Sequence, residues 1–135
     1  MIARITSELE RMGDQAMDNC EYAALIGDTR PTADLTRLAE FVRRMVRDAL
    51  EAFTQEDRQR AEAVMQLDAQ VDALYSQVFR DLLEHTAGAD HAKSTGLLLL
   101  AKSLERIADH ATNVCEEVFY LVEGADIRHQ GTGTP

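Results

Sequence analysis

The amino-acid sequence predicts an all-α protein folded as an antiparallel helical bundle. Three observations carry that prediction. Apolar residues recur at three- and four-residue steps along most of the chain, the period of a helix with one buried face. Breakers are scarce, with 7 Gly and 2 Pro in 135 residues. Aromatic residues make up 5% of the chain and Trp is absent, so little of the strand and turn chemistry of a sandwich or barrel is present.

The breakers divide the chain into four helical stretches. The first runs from Ile2 to Ile26 and stops at Gly27-Asp28-Thr29-Arg30-Pro31. Gly27 suits a helix C-terminus that needs a positive φ, and Pro31 bars continuation. Thr32 is the N-cap expected for a second helix from Ala33 to Phe53, striped by Leu35, Leu38, Val42, Met45, Val46, Ala49 and Phe53. Thr54, with Asp57 three residues on, is the expected cap of a third helix from Gln55 to His85. Its stripe is Val64, Leu67, Val71, Leu74, Val78 and Leu82. Thr86-Ala-Gly-Ala89 makes the next turn, and Asp90 caps a long fourth helix ending at Gly124. Residues 125–135 show no periodicity and read as a disordered tail.

Composition narrows the function. Twenty-four acids against 14 bases give a formal charge of −10, which excludes a typical nucleic-acid binder. Two Cys cannot build a disulfide framework, so a reducing, cytoplasmic setting is expected. No stretch reaches the ~18 apolar residues that span a bilayer. The opening Met1-Ile-Ala-Arg-Ile-Thr6 is not a signal peptide.

An internal repeat matters more than the helix count. Leu9-Glu-Arg-Met-Gly-Asp-Gln-Ala-Met-Asp-Asn-Cys-Glu21 aligns with Leu104-Glu-Arg-Ile-Ala-Asp-His-Ala-Thr-Asn-Val-Cys-Glu116 at a constant offset of 95, with seven of thirteen positions identical. Amphipathic periodicity alone would reproduce Leu and Ala but not the shared polar positions. The unit is therefore a three-helix repeat of roughly 95 residues. Residues 33–124 form a complete second copy, while residues 1–27 hold only the last helix of a first. Met1 is equivalent to Gly96, so the chain is expected to open inside a helix.

The shared polar positions carry the candidate chemistry. On a wheel of 100° per residue, Glu105, Asp109 and Glu116 form a stripe beside the apolar face, where one helix meets its neighbour. Glu10, Asp14 and Glu21 repeat that stripe on the first helix, and Asp68 and Asp72 form another pair on the third. In an antiparallel unit, Asp68 and Asp72 face Glu105 and Asp109 across one groove. Carboxylates so crowded raise one another's pKa values unless a cation neutralises them. Hard oxygen-seeking ions suit such a site. The competing reading is that these acids are solvated helix edges paired with Arg11, Arg60 or Arg106.

Other residues point to packing or solvent. Cys20 and Cys115 fall on the apolar arc and read as small core residues. His110 lies on the far side from the acidic stripe and is expected to be exposed. His85 and His91 flank a turn and His129 lies in the tail, none with ligand spacing. Arg43, Arg44 and Arg47 form an exposed basic strip, and Met12, Met17, Met45 and Met65 fill core. Phosphate-loop, His-Glu-x-x-His and Gly-x-Ser-x-Gly motifs are absent, and no Glu is followed by His three residues on as a ferritin-like di-iron bundle requires. The chain is not expected to be an enzyme.

The run Leu104-Glu-Arg-Ile-Ala-Asp-His-Ala-Thr-Asn-Val-Cys-Glu-Glu-Val-Phe-Tyr-Leu-Val-Glu-Gly124 resembles the last helix of PhoU-type phosphate-transport regulators, and Asp68-Ala-Gln-Val-Asp72 is similar to the motif of their preceding helix. The resemblance covers residues 2–124. Ala108 stands where the family has Gly, Cys115 where it has Ala, and Gln15 where the second copy has His110. It implies one complete three-helix PhoU-like repeat preceded by the last helix of another. It implies a metal patch of Asp68, Asp72, Glu105 and Asp109, and half of a second patch in Glu10 and Asp14. Glu116, Glu21, Arg106 and Asn113 are secondary candidates. The implied ion is divalent or trivalent: iron, manganese, zinc or magnesium.

The implied role is non-enzymatic: coupling the ATPase subunit of the phosphate ABC transporter to a phosphate-sensing histidine kinase, as a homodimer or higher oligomer. Peripheral membrane association is compatible with that role, and nucleic acid is not a partner. The alternative is a stand-alone helical dimerisation module without metal. In either case the first helix carries a stripe of Ile5, Leu9, Met12, Ala16, Cys20 and Ala23. That stripe is expected to pack on the three-helix unit or exchange with a second chain.

Overall fold

The computed structural model describes residues 2–85 and 90–131, with side chains described through Ala125. Five α-helices follow one another: α1 (Ile2–Ile26), α2 (Ala33–Gln55), α3 (Arg58–Gln66), α4 (Asp68–Glu84) and α5 (His91–Gly131). No strand occurs among the described residues. The all-α bundle expected from the sequence is the fold observed.

Local chemistry explains most of the boundaries. Gly27 takes φ 61° and closes α1, a conformation any side chain would strain. Thr32 caps α2, its side chain accepting from the Leu35 N–H at 3.2 Å. Asp90 accepts from the Ala92 N–H at 3.0 Å at the head of α5.

The third stretch departs from expectation. Thr54 does not cap it; the Thr54 hydroxyl donates back to the Glu51 carbonyl, and α2 continues to Gln55. The turn is closed by Glu56 at φ 51°, and Asp57 becomes the cap of α3 by accepting from the Arg60 N–H at 3.0 Å. The helix then breaks at Leu67, whose N–H bonds the Val64 carbonyl three residues back rather than four. This tightened turn separates α3 from α4 and puts Asp68 in the first turn of α4.

Two further expectations are corrected or fall outside the described residues. The backbone of α5 continues past Gly124 to Gly131, so residues 125–131 are helical rather than a disordered tail. At ~1.5 Å per residue α5 is roughly 60 Å long. Residues 132–135 and the turn at 86–89 lie outside the described residues.

Helix α5 is the spine of the bundle. It packs against each of the other four helices, whereas α1 packs on α5 alone. Leu38, Met45 and Ala49 of α2, Val64 of α3, Val71 and Val78 of α4 and Ala108, Ala111, Val114 and Cys115 of α5 are essentially sealed from solvent. Burial of each large apolar side chain is worth about 1.5–3 kcal/mol before entropy is counted.

The α1–α5 seam follows the sequence repeat. Glu8 Oε2 lies 2.5 Å from His110 Nδ1, and the Ser103 hydroxyl donates to Gln15 Oε1 at 3.0 Å. At the offset of 95, Ser103 is equivalent to Glu8 and His110 to Gln15. The two contacts are thus related by a local pseudo-two-fold. Gly96 permits a close approach, since a Cβ there would stand 3.1 Å from Leu25 Cβ and 3.2 Å from the Tyr22 carbonyl oxygen.

This seam corrects several expectations. His110 is not an exposed bystander but a half-buried partner of Glu8. The first-helix stripe is only half used. Ile5 and Met12 are buried and Leu9 partly so, but Ala16, Cys20 and Ala23 are exposed. Met17, expected in the core, is 73% exposed. The apolar arc of α1 is wider than one neighbour can cover, and α5 covers one side of it.

Candidate metal centre

The expected juxtaposition of α4 and α5 is observed. The kink at Leu67 starts α4 with Asp68, and Asp72 follows one turn later on the same face. α5 presents Asp109 opposite them. Asp68, Asp72 and Asp109 each offer a carboxylate oxygen within 4.8 Å of the others. Glu105, one turn before Asp109, shares a hydrogen bond with it.

Their electrostatics follow from crowding. Asp109 is pushed up to about 7, first by burial, then by its hydrogen bond with Glu105 and by the charges of Glu105, Asp68 and Asp72. Asp68 is also raised, by burial and then by the charges of Asp72 and Glu105, while a hydrogen bond with Thr112 works the other way. No Lys or Arg forms an ion pair with Asp68, Asp72 or Asp109 among the described residues. Arg60, one of the cations that a solvated-edge reading would enlist, is committed to Glu51 and Asp57. Arg11 and Arg106 are exposed and form no described ion pair with these acids. Lys102 donates to Glu105 at 3.2 Å and lies over the Tyr75 ring.

The donor set fits a hard multivalent cation. All its atoms are oxygens, three side chains converge from two helices, and their charge is uncompensated. The buried Cys115 is no competitor: burial pushes its thiol up to about 12, which keeps it from the thiolate a metal would need.

The remaining candidates lie elsewhere. Glu10, Asp14 and Glu21 are exposed on α1 and belong to no described carboxylate cluster. Asn113 and Glu116 line a polar cleft at the α1–α5 seam with Arg4, Glu8 and Glu117, where Asn113 Nδ2 donates to Glu8 at 3.4 Å and Arg4 pairs with Glu117 at 3.0 Å. Two neighbours of the centre carried no motif. Thr112 sits on the acidic side of the α5 wheel, so its place was readable but its bond to Asp68 was not. Lys102 lies three residues before Glu105, a spacing that marks helix neighbours.

Comparison with known proteins places the fold. The PhoU domain model matches residues 35–118. A phosphate-specific transport system accessory protein PhoU homolog of Caulobacter vibrioides is 37% identical over 133 residues, covering 94% of this chain and 58% of its own. The homolog of Pseudomonas putida is 37% identical over 136 residues, covering 96% and 53%. The chain thus spans little more than half the length of these relatives. The crystal structure of PhoU from Pseudomonas aeruginosa superposes with a TM-score of 0.84 at 32% identity, over 91% of this chain and 62% of that one. The phosphate transport system regulatory protein PhoU from Streptococcus pneumoniae gives 0.79 at 26% identity, over 89% and 59%. With the domain model spanning most of the chain and the same bundle in both solved relatives, the protein belongs to the PhoU domain family.

Proposed function

We propose that this chain is a non-enzymatic accessory regulator of phosphate uptake, and that a multivalent cation held by Asp68, Asp72 and Asp109, with Glu105 beside them, ties α4 to α5. The relatives are named as accessory proteins of phosphate-specific transport, which supports the transport role. The observation that carries the metal reading is the convergence of three carboxylates from two helices with no cationic side chain among them. A bound cation would neutralise the cluster and stiffen the α4–α5 contact. Asp109, whose pKa is raised to about 7, would release its proton to solvent as the cation binds.

In this reading the chain docks on the transporter's ATPase subunit and passes its state to a phosphate-sensing histidine kinase from the cytoplasmic side. No helix among the described residues is long and apolar enough to cross a membrane.

Two measurements test the proposal. Titration of metal-stripped protein with Mn²⁺, Zn²⁺ or Fe³⁺ is expected to raise the thermal midpoint, and no shift with any of the three would overturn the metal centre. Pull-down with the transporter ATPase and the kinase is expected to retain at least one. Capture of neither would favour a metal-independent helical module instead.

A further inference from the structure

Three carboxylates meet in the groove between α4 and α5, and a fourth stands aside. Asp68, Asp72 and Asp109 bring oxygens within 4.8 Å of one another; Glu105 is not part of that group, although it hydrogen-bonds Asp109. It is held instead by Lys102. The ammonium donates to Glu105 Oε2 at 3.2 Å and sits 5.4 Å from the centre of the Tyr75 ring. Lys102 lies three residues before Glu105 on α5, and Tyr75 three residues beyond Asp72 on α4, so each is a helix neighbour of the cluster. Lys102 and Tyr75 close one end of the groove, and the bond between Thr112 and Asp68 closes the other. One lysine thus touches α5 through a carboxylate and α4 through a ring.

This lysine is free to leave. Its side chain is 47% exposed, against 16% for Glu105. An ammonium on a flexible four-carbon stem, with water on one side, departs without unpacking the bundle. Both of its contacts are of kinds that are weak at exposed sites. A Glu105 carboxylate freed from it stands next to the group it would join. We propose that Lys102 is a tethered counter-ion of the centre: in the metal-free protein it occupies Glu105, and Glu105 becomes a further ligand only when Lys102 is displaced. The inference rests on the metal reading of Asp68, Asp72 and Asp109. Lys102 is a positioning residue, acting through Glu105. It lowers affinity for the cation, since its bond to Glu105 and its own charge both oppose binding. It also steadies the metal-free centre, because it neutralises one of four crowded carboxylates and bridges to α4.

Calorimetric titration of metal-stripped protein tests this, with whichever of Mn²⁺, Zn²⁺ and Fe³⁺ wild type binds and in about 0.15 M salt to screen diffuse charge. Lys102→Met is expected to bind the cation about two- to fivefold more tightly than wild type. In a Glu105→Gln background most of that gain is expected to vanish, because the lysine then holds no ligand back. Urea midpoints give a second readout. Without metal, Lys102→Met is expected to fall below wild type, and with saturating metal the deficit is expected to close. A lysine that merely braces α4 against α5 would cost the same in both states. Unchanged or weaker affinity in Lys102→Met, the full gain retained beside Glu105→Gln, or a midpoint difference that does not depend on metal would each overturn the inference and leave the metal reading standing. A wild type that binds none of the three ions would overturn both.

Discussion

Helices α1 and α5 carry the same signature and live in different surroundings. In α5, Asp109 looks across at Asp68 and Asp72 with Glu105 one turn away, and Ala108, Ala111 and Cys115 are sealed in a helix that packs on α2, α3 and α4. In α1, the equivalent Glu10 and Asp14 face solvent, and Gly13, Ala16 and Cys20 are bare. The motif therefore does not by itself make a site. Two acids one turn apart on a helix edge become a crowded, uncompensated cluster only when a second helix supplies another pair. The small residues become core only when helices lie over them.

Repeat-paired substitutions sharpen this contrast, and the core pair gives the largest effect. Ala111 has no exposure, so Ala111→Leu overpacks the bundle and is expected to cost about 1–3 kcal/mol by urea denaturation. The equivalent Ala16→Leu, made on the exposed face and measured in dilute protein, is expected to stay within about 0.5 kcal/mol of wild type. Equal losses at both positions would erase the difference between the two helices.

Protonation gives the next contrast. Burial and its acidic neighbours raise Asp109 from 3.8 to about 7 in the folded state, so the native protein holds a proton that the unfolded chain has lost. Where the folded state binds more protons, stability falls as pH rises. Metal-free wild type is therefore expected to lose stability between about pH 4 and 7 relative to Asp109→Asn, which cannot ionise. Asp14→Asn, at the exposed equivalent position, is expected to leave the slope unchanged. Urea midpoints across that range decide it, and matching slopes for wild type and Asp109→Asn would refute the crowding account.

The seam between the two helices supplies the smallest effects. Glu8→Gln weakens the charge-assisted contact with His110 and is expected to cost about 1 kcal/mol. Ser103→Ala removes only the neutral hydroxyl bond to Gln15, and about 0.5 kcal/mol is expected. The reverse order in chemical denaturation would mean that the pseudo-symmetric contacts are not ranked by charge.

Much of this was legible in the sequence because helical periodicity is a local property. The α2 stripe, the Thr32 and Asp90 caps and the Gly27 terminator follow from residues within one turn of where they act. The facing of Asp68 and Asp72 toward Asp109 was legible for a related reason. Carboxylates beside an apolar stripe must lie where that stripe meets a neighbouring helix.

What the sequence hid depends on which neighbours are present. The break at Leu67 carries no Gly or Pro and shows only in the tightened bond to Val64. His110 looked exposed because the wheel measures distance from a helix's own apolar face and cannot show that Glu8 of α1 comes to meet it. Cys20 and Met17 looked like core because they fit a buried pattern, and among the described residues nothing seals them.

In the proposed function α5, and not α1, would hold the cation. The most direct measurement is calorimetric titration of Mn²⁺ into metal-stripped Asp109→Asn and Asp14→Asn side by side with wild type. The account predicts at least about a tenfold loss of affinity for Asp109→Asn, roughly 1.4 kcal/mol, and wild-type affinity for Asp14→Asn. Equal affinities for the two variants, or a loss confined to Asp14→Asn, would contradict it.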